Sequence, residues 1–127
     1  MPRILIAEDE KDIRELIAFT LRFAGFDVLL ATNGVEAVEV AEAERPDLVI
    51  LDVRMPRMSG YEACRRLKEN PQTASLPIVF LSAKGQDSEI QQGLESGAEE
   101  YILKPFAPDE LIQQVRDILN RHRSREA

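Results

Sequence analysis

The chain has 127 residues, 44% apolar and 31% charged, and its 16 Lys and Arg against 23 Asp and Glu leave a net charge of −7. That length favours one domain with one core, and the negative balance repels nucleic acid from the chain as a whole, so direct nucleic-acid binding is not expected. No apolar run approaches the ~20 residues of a membrane span, and the stretch Arg3 to Ala7 meets acids at Glu8, which is too short and wrongly flanked for a signal peptide. A cytoplasmic protein with no membrane partner is the default expectation. The one cysteine, Cys64, can neither close an internal disulfide nor build a zinc site with the single His122, and is expected to be a buried structural thiol.

Taken in chain order, two kinds of segment alternate. Ile4 to Ala7 is a short apolar run. Ile13, Leu16, Ile17, Thr20, Leu21 and Ala24 then form a stripe of helical period that Gly25 ends. Val28 to Ala31 is the second run, and Asn33 can cap a helix to about Glu44, with Pro46 stopping it. Leu48 to Leu51 is the third run, apolar at every position, as suits a parallel strand covered on both faces. Ser59 can cap a helix to about Asn70-Pro71. Ile78 to Leu81 is the fourth run, and a fourth helix is expected from about Asp87 to Ser96, ended by Gly97. Tyr101 to Leu103 is the fifth run, and the last helix carries Leu111, Ile112, Val115, Ile118 and Leu119. Arg121, Arg123 and Arg125 read as a solvated helix end or as the start of a linker.

Five βα units predict an α/β fold with a five-stranded parallel sheet, doubly wound with helices on both faces; a barrel would need eight units. Such sheets bind ligands beyond the C-terminal ends of their strands. There the first strand presents Glu8 and Asp9, the third Asp52, the fourth Ser82, and the fifth is followed by Lys104. Three clustered carboxylates require a cation or protonation, and oxygen ligands on an open site suit Mg²⁺. A metal and a lysine beside a carboxylate and a hydroxyl make a site for a phosphoryl group, and a carboxylate can itself be the nucleophile. Asp52, at the end of the most apolar strand, is the best placed for that. Each residue taken alone has a plainer reading: Glu8, Asp9 and Glu10 as acids favouring a helix N-terminus, Ser82 as a turn or cap residue, Lys104 as a loop lysine.

The motifs Ile6-Ala7-Glu8-Asp9-Glu10, Leu51-Asp52-Val53-Arg54-Met55-Pro56 with Gly60 following, Leu81-Ser82-Ala83 and Tyr101-Ile102-Leu103-Lys104-Pro105-Phe106 resemble, in order and spacing, the receiver domain of bacterial two-component response regulators. The resemblance covers nearly the whole chain. It implies a flavodoxin-like sheet of strand order 2-1-3-4-5. It implies Asp52 as phosphoacceptor, Mg²⁺ held by Glu8, Asp9, Asp52 and the backbone carbonyl of Arg54, Ser82 and Lys104 on the phosphoryl group, and Ser82 and Tyr101 as the switch. It also implies a Lys104–Pro105 bond that is usually cis. The donor would be a sensor histidine kinase, a phosphotransfer protein or a small acyl phosphate. A surface made by the fourth helix, fifth strand and last helix would carry the signal to a downstream protein or output domain, or into a homodimer. No separate enzymatic activity is expected beyond Mg²⁺-dependent phosphorylation and slow autodephosphorylation. On this reading residues 1–121 are the receiver domain, N-terminal or free-standing, and 122–127 a tail or the start of a linker.

Some positions are particular to this chain. Arg54 and Lys84, each two residues past a site residue, are expected to cover the phosphoryl group against water, with solvated surface cations as the alternative. Ala107 stands where a capping residue is usual, before Pro108, Asp109 and Glu110, which suit a helix start. Gln91 and Gln92 leave Glu99, Glu100 and Arg116 without an evident basic partner for a charged dimer face. Three competitors are weaker. A phosphorylation-independent interaction module would not need the full set of site residues. An aspartyl-phosphate phosphatase would need a second acid where Arg54 stands, and a capping insertion. A flavin-binding domain would need a Ser-, Thr- or Gly-rich phosphate loop where Glu8-Asp9-Glu10 stand.

Overall fold

The computed structural model describes residues 1–83 and 97–126. Five strands, β1(Arg3–Ala7), β2(Asp27–Ala31), β3(Leu48–Asp52), β4(Ile78–Ala83) and β5(Glu100–Lys104), form one parallel sheet in the order β2-β1-β3-β4-β5. The helices α1(Lys11–Phe23), α2(Gly34–Glu44) and α3(Gly60–Glu69) and a C-terminal helix (Pro108–Glu126) complete the described elements. The helix expected at 87–96, with Gln91 and Gln92, and Lys84 lie outside the described residues. The C-terminal helix continues through the arginine-bearing tail to Glu126.

The pleat sorts each apolar run into two cores, because successive side chains point to opposite faces. Ile4, Ile6, Leu48, Ile50, Val79 and Leu81 pack on one side with Ile17 and Leu21 of α1 and Leu111, Val115 and Ile118 of the C-terminal helix. Leu5, Val49, Leu51, Ile78 and Phe80 pack on the other with Ala37 and Ala41 of α2 and Tyr61, Ala63, Cys64 and Leu67 of α3. With both faces covered, β3 is buried at every position. Cys64 is fully buried, as expected of a structural thiol, and burial pushes it up to about 11.

Local chemistry sets the element ends. Asn33 accepts from Glu36 N at 2.8 Å and Ser59 from Glu62 N at 3.2 Å, so both act as helix N-caps. Gly25 follows α1 at φ 98°, a conformation glycine adopts at little cost. The expected strands are each extended by one or two residues: Asp52 and Lys104 are the last residues of β3 and β5, and β4 runs one residue past Ser82. The α1 stripe differs at one position. Leu16 lies at its edge and is 49% exposed.

Candidate functional site

In a parallel sheet all C-terminal strand ends share one edge, and the five expected residues stand along it. Glu8 and Asp9 follow β1, Asp52 closes the central strand, Ser82 lies one position beyond the residue that pairs with Asp52, and Lys104 closes β5. Glu8, Asp52 and Ser82 are buried and Asp9 is exposed. One carboxylate oxygen from each of Glu8, Asp9 and Asp52 lies within 4.8 Å of the others. Lys104 Nζ stands 2.9 Å from Glu8 Oε1 and 3.2 Å from Asp52 Oδ1, tying the two strand ends together. The Lys104–Pro105 peptide is cis.

Backbone packing holds these groups. A Cβ on Gly60 would stand 2.2 Å from the Asp52 carbonyl oxygen, so only glycine lets α3 begin there; Gly60 N donates to Val53 O at 3.0 Å. A Cβ on Gly34 would stand 2.1 Å from Met58 O, which lets α2 press on the loop between β3 and α3. Arg14 Nη1 donates to Glu8 O at 2.8 Å and fastens the loop after β1. Neither Gly34 nor Arg14 stood out in the sequence. Both act through contacts with residues distant in the chain or through the backbone, and no local motif encodes that.

Among the described residues the charge is unbalanced: three carboxylates face one ammonium. Burial comes first in holding the Glu8 carboxyl above its ordinary value; its neighbour Asp52 adds to this, and Lys104 offsets only part of it. Burial, then Glu8, raises Asp9 as well. Burial disfavours the Lys104 ammonium, but Glu8 and Asp52 outweigh it and hold lysine above its usual range. Glu8 Oε1 is buried with no hydrogen-bond partner among the described residues, so its contact with Lys104 is an ion pair. A buried carboxylate oxygen that shares one ammonium with a second acid, inside an all-oxygen acid cluster, fits a hard divalent cation.

Other expected positions are partly brought together. Arg54 is exposed and lines a groove of about 690 Å³ that also touches Asp9. Tyr101 is half-buried; it packs against the α2–α3 core and lines a groove with Leu103, Pro105 and Phe106. Of the residues expected on a charged dimer face, Glu100 pairs with Arg121 at 2.6 Å, whereas Arg116 Nη2 reaches Ala24 O at 3.5 Å, beside α1. The plainer reading of the acids as a helix start holds in part: Glu10 takes the N-cap position of α1 without a side-chain hydrogen bond, and its N–H donates to Glu8 Oε2 at 3.3 Å. No helix among the described residues is long and apolar enough to cross a membrane.

Comparison with known proteins agrees with this arrangement. The sequence profile of the response regulator receiver domain matches residues 4–116. The phosphate regulon transcriptional regulatory protein PhoB of Pseudomonas aeruginosa is 46% identical over 118 residues, covering 93% of this chain and 52% of that protein. The DNA-binding dual master transcriptional regulator RpaA of Synechocystis is 40% identical over 121 residues, covering 95% of this chain and 50% of that protein. Chemotaxis protein CheY4 of Vibrio cholerae superposes with a TM-score of 0.87 at 32% identity, covering 93% of this chain and 98% of that one. The chain spans about half the length of the curated relatives it matches. With the profile matched along most of its length and the sheet order that of its solved relatives, the chain belongs to the response regulator receiver domains of two-component signalling.

Proposed function

We propose that Asp52 accepts a phosphoryl group from a sensor histidine kinase, a phosphotransfer protein or a small acyl phosphate, and that the aspartyl phosphate switches an output surface. The observation that carries this is the position of Lys104 Nζ, 3.2 Å from Asp52 and 2.9 Å from Glu8, beside a three-carboxylate cluster at the strand ends. Glu8, Asp9, Asp52 and the backbone carbonyl of Arg54 would hold Mg²⁺, with Glu8 acting through water. When bound, the ion offsets charge on the equatorial oxygens of the transferring group.

In the transfer, an Asp52 carboxylate oxygen forms the new P–O bond. The donor's P–N bond breaks if it is a phosphohistidine, or its P–O bond if it is an acyl phosphate, and the electron pair leaves with the donor. Lys104, already ion-paired at rest, turns one donor to the phosphoryl oxygens. Ser82 supplies a hydroxyl to the same group.

Phosphorylation adds about −1.5 to −2 charges and new acceptor oxygens. Ser82 moves toward them, and Tyr101 follows into the space it leaves. Reversing a 1:99 population needs about 5.5 kcal/mol of preference for the active form, a scale that two or three charge-assisted hydrogen bonds approach. The groove of about 600 Å³ lined by Tyr101, Leu103, Phe106 and Gln113 supports this side of the molecule as the part a downstream protein or output domain reads. The chain then acts in the cytoplasm as a switch that supports its own Mg²⁺-dependent phosphorylation and slow dephosphorylation. The complete acid, hydroxyl and lysine set disfavours a phosphorylation-independent module.

Beryllofluoride, which mimics a phosphoryl group on a carboxylate, tests the reading. Wild type should bind it only with Mg²⁺ and show altered Tyr101 resonances, and Asp52→Asn should do neither. Equal binding by Asp52→Asn would overturn the assignment.

A further inference from the structure

The connection that carries two of the site's acids is short. β1 ends at Ala7 and α1 begins at Lys11, so Glu8, Asp9 and Glu10 make all of it. The helix ladder opens with Arg14 N donating to Glu10 O at 2.9 Å. The carbonyls of Glu8 and Asp9 therefore precede the ladder and take no part in it. Arg14 supplies their partner. Helical side chains lean back toward the N-terminus, and one turn into α1 the half-buried Arg14 reaches back over the connection. Its Nη1 donates to Glu8 O at 2.8 Å and, at longer range, to Asp9 O at 3.4 Å. A cation near a helix N-terminus gains nothing from the helix dipole, so the charge of Arg14 serves the connection and not the helix.

Fixing a carbonyl fixes its planar peptide, and with it the direction in which the flanking side chains leave the chain. Glu8 has two further ties: its N–H donates to Ala31 O at 3.1 Å, and its Oε2 accepts from Glu10 N at 3.3 Å. Asp9 is exposed, and Arg14 holds its backbone from the helix side. One oxygen from each of Glu8, Asp9 and Asp52 lies within 4.8 Å of the others, a spacing that a small rotation of the connection would open. Charge-assisted hydrogen bonds to these two carbonyls resist that rotation.

We propose that Arg14 is a positioning residue for the divalent cation of this site: its guanidinium presets Glu8 and Asp9 against Asp52 while touching neither the ion nor the phosphoryl group. The inference rests on the phosphoacceptor reading of Asp52. Groups that orient metal ligands from outside the ligand set carry about 10–100-fold of metal affinity. Titration of the full chain with Mg²⁺ alone, followed by amide chemical shifts, tests it beside the rate of phosphorylation by acetyl phosphate. Arg14→Met keeps the stem and removes the donors. It should raise the Mg²⁺ dissociation constant by about tenfold. Its phosphorylation should slow at limiting Mg²⁺ and return to near the wild-type rate at saturating Mg²⁺, a recovery that a general loss of structure would not give. Arg14→Lys, the milder change with a shorter stem, should raise the constant several-fold and keeps the test open if the methionine variant does not fold. Lys11→Met removes the same charge from an exposed position on α1 and should leave the constant unchanged. A wild type that neither binds Mg²⁺ nor gains a phosphoryl mass would remove the phosphoacceptor reading and this inference with it. Given a wild type that does both, folded Arg14 variants with the wild-type constant would overturn the role of Arg14 alone. So would a slowed rate that saturating Mg²⁺ does not recover, or an equal loss of affinity in Lys11→Met.

Discussion

Glu8 and Asp9 hold their protons more firmly in the folded chain than in the unfolded one, chiefly because burial penalises the charged form. The sign of the consequence is fixed. A carboxylate whose folded pKa is raised contributes stability below its ordinary value, 4.5 for Glu8 and 3.8 for Asp9, and that contribution is lost as pH rises through the folded value. Metal-free protein should therefore lose melting temperature as pH climbs from about 4 through the raised carboxyl range. On the proposed function Mg²⁺ would bind the deprotonated cluster and reverse the loss, so its stabilising effect should grow with pH. Thermal melts with chelator and with excess Mg²⁺ across this range check both slopes. Asp9→Asn should stabilise the metal-free protein above the carboxyl range and shrink the Mg²⁺ effect. A Mg²⁺ effect that is flat with pH would contradict the account.

Two element junctions carry testable strain and capping. The start of α3 lies on the Asp52 backbone, where a Cβ on Gly60 would meet the carbonyl oxygen at 2.2 Å. Backbone cannot yield as a flexible side chain does, so Gly60→Ala should cost about 2 kcal/mol or more in denaturant unfolding, and it should slow phosphorylation by shifting Asp52. The C-terminal helix starts without a capping side chain: Leu111 N donates to Ala107 O at 3.0 Å, which places Ala107 at the cap position. Ala107→Asp should add about 1 kcal/mol, seen as a melting temperature raised by about 4 °C. A lower melting temperature would show that the alanine side chain matters more than the cap.

At the scale of the molecule, the sheet and the site edge were legible because parallel strands leave two plain marks. They are apolar at successive positions, and their polar residues fall at one end. Asp52, Ser82 and Lys104 were therefore readable from where the apolar runs stop. The sorting of Leu5 from Ile6, or Val49 from Ile50, between two cores was not readable, since both faces are covered and the residue types are alike. Gly34 was silent for another reason: its requirement comes from Met58, across a tertiary contact. The exposure of Leu16 on α1 was hidden because by spacing it counts toward the inner stripe, and only the structure shows it exposed.

The central claim is that these strand ends converge to make Asp52 a phosphoacceptor. It is tested most directly by intact mass measurement after incubation with acetyl phosphate and Mg²⁺. Wild type should gain one phosphoryl mass, which chelator prevents and Asp52→Asn abolishes. A wild type that gains none, or an Asp52→Asn variant that still gains one, would contradict the account.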